Sequence, residues 1–174
     1  QKIKYLDAPV SGGTEGAQSG NLTMFLGCTK QILKQISIYL EPIASNIYPF
    51  NEIGKGQEVK AINQILVAGS YIAVAEAIAL GQNLNLQMET VIEALQTGAA
   101  NSWALSNRSQ LMINDHYPLG FKLALHHKDL SIALKIAEEI GLHLPITAKV
   151  KEIEEELIDR GYGDNDISIL RRAI

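Results

Sequence analysis

The sequence lacks the features that mark several classes of protein. A single cysteine, Cys28, excludes an internal disulfide framework, and no spacing of His and Cys residues supports a zinc site. No cluster of Lys and Arg occurs and the formal net charge is −4, so nucleic acid is not an expected partner. No repeat, linker or low-complexity tract occurs either. These absences, with 47% hydrophobic and 20% charged residues, fit a soluble globular protein of the reducing cytoplasm.

The start of the chain also lacks an initiator Met and a signal-peptide pattern. Ile3 and Tyr5 alternate with Lys2 and Lys4, which predicts a strand that begins almost at residue 1. Because a native protein rarely opens inside a strand, we expect a fragment whose upstream part is missing.

The longest apolar run, ILVAGSYIAVAEAIAL, lies within Lys60–Leu80. It is shorter than a membrane span requires, and it carries Ser70 and Glu76. We therefore predict a helix that is buried on nearly all sides and no membrane partner.

Hydrophobic periodicity predicts strands and one helix in the first fifty residues and helices from about Gly54 onwards. We expect strands over Asn21–Gly27 and Ser45–Phe50, with Pro49 placing the second at a sheet edge. The charged run KEIEEEL is expected to be the solvated face of the last helix. The predicted helices are Lys30–Leu40; one carrying Met88, Val91, Ile92 and Leu95 that ends at Gly98; Trp103–Ile113; one carrying Leu130, Ala133, Leu134, Ala137 and Ile140 that Gly141 stops; and one that begins at Pro145 and carries Ile146, Val150, Ile153 and Leu157.

A glycine-rich stretch, SGGTEGAQSG at Ser11–Gly20, stands where a dinucleotide-binding loop could lie. It fails the G-x-G-x-x-G pattern because the first required glycine is Ser11, and a predicted strand follows in place of a helix. The segment Gly54–Val59 fails as well, since Val59 replaces the third glycine. From the residues alone, Ser11–Gly20 is either a flexible hairpin-like connection or a loop whose bare N–H groups suit a carboxylate.

Three polar residues, Lys60, Asn63 and Gln64, share one face near the start of the long apolar helix. They are either a polar site or, equally, a lysine that reaches solvent at the helix end beside two boundary amides.

A third candidate is the pair His126 and His127, followed by Lys128 and Asp129. Adjacent side chains diverge on a helix and no further ligands are evident, so we do not expect a metal site. The lysine and the aspartate could also be ordinary surface charges.

Three motifs occur in order along the chain: DAPVSGG at Asp7–Gly13, GKGQEVKAINQ at Gly54–Gln64, and GFKLALHHKDL at Gly120–Leu130. Together they resemble the β-hydroxyacid dehydrogenase family, which includes 3-hydroxyisobutyrate dehydrogenase, tartronate semialdehyde reductase and glyoxylate/succinic semialdehyde reductases. The resemblance covers essentially the whole chain and corresponds to the C-terminal part of such enzymes. The N-terminal Rossmann unit of the family, with its glycine fingerprint, is missing.

The resemblance implies roles for the first two motifs. Ser11, Gly12 and Gly13 are expected to bind the carboxylate of the substrate, and Lys60 corresponds to the catalytic lysine of the family. That lysine acts as a general acid or base while a hydride passes between NAD or NADP and a small β-hydroxy acid or semialdehyde.

The resemblance also implies roles for four further residues. Asn63 and Gln64 are expected to orient substrate, although members often have a second Asn where this chain has Gln64. Lys128 and Phe121 correspond to positions near the cofactor. More distant 6-phosphogluconate dehydrogenases have K-x-x-H-N, and Asn63 in place of that His argues against them.

The expected fold is mainly α. Residues 1–52 are a short β/α segment that closes a Rossmann-type domain, and residues 53–174 form an all-helical bundle domain with one long buried helix. We expect a homo-oligomer, a dimer or a tetramer, and we expect the 174-residue chain by itself to be inactive. The alternative is a non-catalytic helical module for dimerisation or interaction.

Overall fold

The computed structural model describes residues 5–174 and shows a mainly helical chain with a small sheet near its start. The chain divides into two compact units, Gln1–Asn63 and Gln64–Ile174. The predicted domain boundary at residues 52 and 53 stays a prediction. Of the strand predicted at the start of the chain, Lys2, Ile3 and Lys4 lie outside the described residues.

The first unit contains a strand–helix–strand element. Strand β2 (Leu22–Leu26) pairs in parallel with β3 (Ala44–Pro49), and helix α2 (Lys30–Leu40) connects them. A parallel pair needs a crossover of this kind, because a short turn cannot return the chain to the same direction. The predicted positions of all three elements are confirmed. Among the described strands, β3 lies at one edge of the order β1-β2-β3.

The segment before the glycine-rich stretch is extended, but only Val10–Ser11 forms a strand, β1, antiparallel to β2. The main-chain carbonyls of Asp7 and Pro9 accept hydrogen bonds from the N–H groups of Gly27 and Phe25, both at 2.9 Å. Proline has no N–H to return such a bond. Within the described part of the chain, strand pairing before the glycine-rich stretch is therefore limited to Val10–Ser11.

The connection from β1 to β2 contains a short helix, α1 (Gly13–Gln18), where the sequence predicted a loop or a flexible connection. Four glycines in ten residues have low helix propensity, which explains why the pattern did not indicate a helix. Gly16 is buried against Leu22, and a Cβ at Gly16 would lie 3.1 Å from the Leu22 side chain. Packing against β2 therefore stabilises what local propensity does not.

The long helix α3 (Lys55–Asn83) begins in the first unit and continues into the second. The sequence predicted burial on nearly all sides, but the structure buries one side only. Ala68, Ala75 and Ile78 are buried, whereas Leu66 is 70% and Leu80 63% exposed. Among the described residues, α3 is long and apolar enough to cross a membrane by length and composition alone, and 44% of its most apolar window is buried inside the protein.

Beyond α3, the second unit consists of helices, the loops between them and an isolated β-bridge between Lys122 and Asp166. Its core joins residues from every helix, and the predicted helices are confirmed. Ser102 is the N-cap residue of the helix that follows it, since its hydroxyl accepts from the N–H group of Leu105; in the first unit Thr29 caps α2 in the same way, through the N–H group of Ile32. The helices are α4 (Met88–Gln96), α5 (Trp103–Ile113), α6 (Leu123–Glu139), α7 (Pro145–Leu157), a π-helical turn (Ile158–Tyr162) and a 3-10 helix (Ile167–Ala173).

The buried stripes of α6 and α7 differ in part from the predicted ones. Ile140 and Ile146 are 71% and 68% exposed, although the sequence placed both on buried stripes. Ile140 lies just past the end of α6. On α7 the buried face carries Thr147 and Glu154, so the run KEIEEEL is not solvated throughout.

The C-terminal helix is attached to the loop after α5 by a charged and aromatic cluster. The guanidinium of Arg172 donates to both carboxylate oxygens of Asp115 at 2.8 and 2.7 Å, and the Tyr117 hydroxyl donates to Asp115 at 2.8 Å. These bonds, above all those from Arg172, lower the pKa of Asp115 to about 2. Burial, followed by the bond to Asp115, raises the pKa of Tyr117 to about 12.

Candidate functional site

The predicted site residues fall into two groups, one in each unit. The first unit contains the loop Ser11–Gly13 together with Lys60 and Asn63, and the second contains Gln64, Phe121 and Lys128.

In the loop of the first unit, the main chain adopts positive φ values, which residues with a side chain rarely adopt. Ser11 is half-buried at the end of β1, and Gly12 and Gly13 are exposed with φ values of 128° and 61°. A Cβ at Gly12 would also lie 3.1 Å from the Leu22 side chain. The glycines are therefore required by the backbone, and they leave its N–H groups uncovered by side chains.

Asp7, which sequence reasoning did not single out, is a buried carboxylate with 5% exposure. Its Oδ1 accepts from the main-chain N–H of Gly54 at 2.6 Å, and its Oδ2 accepts from that of Gln57 at 2.9 Å. Gly54 directly precedes α3 and Gln57 is the third residue of that helix. The carboxylate thus satisfies N–H groups at the start of α3 that have no partner within the helix.

Lys60 and Asn63 lie one turn apart on α3, as the sequence predicted, and both are half-buried. Gln64 follows them and is almost completely buried, with 2% exposure. The three side chains therefore differ in access to solvent, and Gln64 is the least accessible.

Gln64 is bound within the second unit through its side-chain amide. Its Nε2 donates to Oδ2 of Asp129 at 2.7 Å, while the ammonium of Lys128 lies 2.8 Å from Oδ1 of the same carboxylate. Asp129 therefore joins the amide to the lysine that the resemblance places near the cofactor. The Asp129 side chain is 15% exposed and that of Lys128 62% exposed, so only the lysine has the exposure of a surface residue.

A fully buried pair lies next to Gln64 in the second unit. His126 Nδ1 lies 2.5 Å from Oε1 of Glu154, and His126 Nε2 lies 3.2 Å from the main-chain oxygen of Gln64. Both ring nitrogens therefore face oxygen atoms. The pair attaches α6 and α7 to the main chain of α3.

Phe121 is half-buried, and its ring lies edge-on to that of His126 with centroids 6.0 Å apart. The carboxylate of Asp166, which is fully buried, accepts from the N–H groups of Gly120 and Phe121 at 2.9 Å each. The other oxygen of Asp166 accepts from the main-chain N–H and the hydroxyl of Ser168. Asp166 therefore fixes the main chain at Phe121.

Sequence reasoning missed Asp7, Asp166, His126 and Glu154 as organising residues. The buried stripe of α6 includes Leu123, His126 and Leu130, so extending the predicted stripe by one turn before Leu130 would have found the histidine. Within residues 5–174, no group of three or more His, Cys, Asp or Glu side chains is arranged to bind a metal ion.

Two family models match the chain and meet at residue 54. Residues 54–174 match the model described as NAD-binding of NADP-dependent 3-hydroxyisobutyrate dehydrogenase. Residues 1–54 match the model described as the NAD binding domain of 6-phosphogluconate dehydrogenase, a stretch that does not include Lys60.

Curated relatives agree with these matches. The chain is 35% identical over 167 residues to 2-(hydroxymethyl)glutarate dehydrogenase of Eubacterium barkeri, which covers 95% of this chain and 56% of the relative. It is 36% identical over 170 residues to 2-hydroxy-3-oxopropionate reductase of Escherichia coli, covering 98% and 58%. The chain thus spans little more than half the length of these relatives.

Solved structures give the same result. A structure of Mycobacterium tuberculosis 3-hydroxyisobutyrate dehydrogenase with L-serine superposes with a TM-score of 0.86 at 29% sequence identity, covering 96% of this chain and 60% of that one. The family-model match, the relatives and this structure agree with the three sequence motifs. The chain therefore belongs to the β-hydroxyacid dehydrogenases, in the family of NADP-dependent 3-hydroxyisobutyrate dehydrogenase.

Proposed function

We propose that the complete natural protein containing this chain is an NAD- or NADP-dependent oxidoreductase of small β-hydroxy acids or semialdehydes. The observation that carries the proposal is the family match over residues 54–174, the range that contains Lys60, Asn63 and Lys128, for which the sequence motifs suggest roles. The relatives named above support the substrate class, since both act on small hydroxy acids by name.

The residues of the second unit fit part of a nicotinamide cofactor. Lys128 provides an exposed ammonium that a phosphate or a ribose hydroxyl can approach, and Phe121 provides a half-buried aromatic ring. The sequence contains no G-x-G-x-x-G, so no residue of this chain is assigned to the pyrophosphate.

The proposed chemistry assigns the proton to Lys60. When bound, the nicotinamide supplies or accepts the hydride. Lys60 Nζ donates a proton to the alkoxide oxygen that forms when the carbonyl is reduced, and accepts it in the oxidative direction. Ser11, Gly12 and Gly13 bind the substrate carboxylate through a hydroxyl and bare N–H groups.

The amides on α3 divide between two tasks in this proposal. Asn63 is half-buried and contacts substrate. Gln64 is buried and donates to Asp129, so it orients the site through that carboxylate in addition to any substrate contact. Gln is one methylene longer than the Asn that members often have there, and this longer side chain bonds Asp129 at 2.7 Å.

We also propose that the protein is a cytoplasmic homo-oligomer. In the second unit, α3 and α7 form an apolar groove of about 330 Å³ lined by Leu66, Ile146 and five further residues. Leu66 and Ile146 are both more than two-thirds exposed in the single chain. A second copy of the chain that covers this groove would bury both side chains. The alternative function, a non-catalytic dimerisation module, would not require the motif residues Lys60 and Lys128.

A substrate panel on the complete protein tests the function. We expect consumption of NADH or NADPH with 2-hydroxy-3-oxopropionate or succinic semialdehyde, or reduction of NAD or NADP with 3-hydroxyisobutyrate, 2-(hydroxymethyl)glutarate or L-serine. Absorbance at the nicotinamide band measures both directions. Absence of turnover with every member of the panel and both cofactors would contradict the proposed substrate class.

A further inference from the structure

The start of α3 is closed by a residue from a distant part of the sequence. Helix N-termini commonly use a capping box, in which the N-cap side chain accepts from the third N–H of the helix and the third side chain accepts from the N-cap N–H. Here the N-cap position is Gly54, which has no side chain. The carboxylate of Asp7 accepts both bonds, from Gly54 and from Gln57, across sequence separations of 47 and 50 residues.

Two glycines make room for this carboxylate, and a third directly precedes the helix. A Cβ at Gly27 would overlap Oδ1 of Asp7. A Cβ at Gly56 would lie 2.6 Å from Oδ2 of Asp7 and would overlap the main-chain oxygen of Phe25. Gly54 has a φ of 91°, which favours glycine at that position. Of the two glycines of G-x-G-x-x-x-K, Gly56 is therefore explained by the position of Asp7, and Gly54 by its own backbone conformation.

The same cap joins two motifs that lie far apart in the sequence. Asp7 is the first residue of DAPVSGG, four residues before Ser11, and the helix that it caps carries Lys60 three residues after Gln57. A carboxylate at a helix N-terminus also interacts favourably with the helix dipole. Loss of the cap would release the first turn of α3 and displace the lysine in the next turn.

We infer that Asp7 is a positioning residue that fixes Lys60 through the first turn of α3, and that it binds neither substrate nor cofactor itself. This inference rests on the proposed role of Lys60. Asp7→Asn tests it with little change in volume, because the amide can accept from one N–H group but presents its own NH₂ group to the other.

A double-mutant cycle in the complete protein separates positioning from general stability. Asp7→Asn is expected to lower kcat by roughly 10–10²-fold, the scale of a small misplacement of a catalytic group. In a Lys60→Ala background the same change is expected to alter kcat by less than about threefold, because effects that act through one group are not additive. Ile36→Ala, in the half-buried face of α2, is the control for lowered stability and should keep kcat.

Each outcome of the double-mutant cycle supports or contradicts the positioning role of Asp7. An equal loss in both backgrounds, or no loss from Asp7→Asn, overturns the positioning role while the role of Lys60 stands. No loss from Lys60→Ala alone overturns the proposed chemistry, and the positioning role with it. Should Asp7→Asn fail to fold, Gly56→Ala displaces the same cap with Asp7 retained, and the same non-additivity with Lys60→Ala is required.

Discussion

At the scale of single residues, the structure uses buried carboxylates to hold main-chain groups and rings in place. Three of these carboxylates are Asp7, Asp166 and Glu154. Each contacts a residue of one of the sequence motifs: Gly54, Phe121 and His126, respectively. Charged residues are rarely buried unless they are paired, because an unpaired buried charge is costly. Such carboxylates therefore indicate main-chain groups and rings whose positions are fixed in the fold.

The pair of Glu154 and His126 gives a prediction with a matched control one residue away. Glu154→Ala leaves a nitrogen of a buried imidazole without its partner, and should lower the free energy of unfolding by about 1–3 kcal/mol. Glu155→Ala removes a carboxylate that is 60% exposed and should change it by less than about 0.5 kcal/mol. Urea unfolding followed by circular dichroism measures both. Equal effects of the two changes would show that the buried pair has no special weight.

Only part of this residue-level picture could be read from the sequence. Lys60 and Asn63 were predicted on one helix face, because helical spacing is a local property. The contacts of Asp7 with Gly54 and of His126 with Glu154 span 47 and 28 residues, and no local pattern contains them. The burial of Glu154 was also not predicted, because it lies in a run of charged residues and such runs are ordinarily solvated.

At the scale of elements, local signals located most helices and strands. Apolar spacing located α2, and Pro145 marked the start of α7; the capping hydroxyls of Thr29 and Ser102 are further local signals that the prediction did not use. The helix α1 was missed because its four-glycine segment has low propensity and depends on packing against β2. The exposed side of α3 was not predicted, because an apolar sequence shows which side chains could be buried but does not show whether another part of the chain covers them.

Two glycines of α3 give opposite predictions for the same substitution. At Gly69 no atom lies within 4 Å of an added Cβ, so Gly69→Ala should raise the free energy of unfolding by about 0.5–1 kcal/mol through helix propensity. Gly56→Ala gains the same helix propensity, but its Cβ would collide with Asp7 and with the main-chain oxygen of Phe25. This variant should therefore lower the free energy of unfolding. Thermal and urea unfolding of both variants measures the difference. Stabilisation by Gly56→Ala would contradict the close packing at the helix start.

At the scale of the whole molecule, the exposed apolar groove of the second unit predicts self-association. We expect light scattering to give the mass of a dimer or a larger oligomer for the complete protein. Leu66→Lys should lower that mass, because it places a charge in the groove. Leu119→Lys, at a leucine that is 51% exposed in the loop before α6, is the control and should leave the mass unchanged. A stable monomer at high concentration would contradict the proposed assembly.

The role of Lys60 is the central claim, and Lys60→Ala in the complete protein tests it most directly. Steady-state kinetics should show kcat lowered by roughly 10²–10⁴-fold, about 3–5 kcal/mol of barrier at 1.36 kcal/mol per tenfold. Cofactor affinity and Tm should change little, because a half-buried lysine contributes little to core packing. Lys60→Arg should also be slow, since Arg keeps the charge but does not exchange its proton. A kcat for Lys60→Ala within about threefold of the wild type, far below the scale of a positioned acid or base, would contradict the assignment.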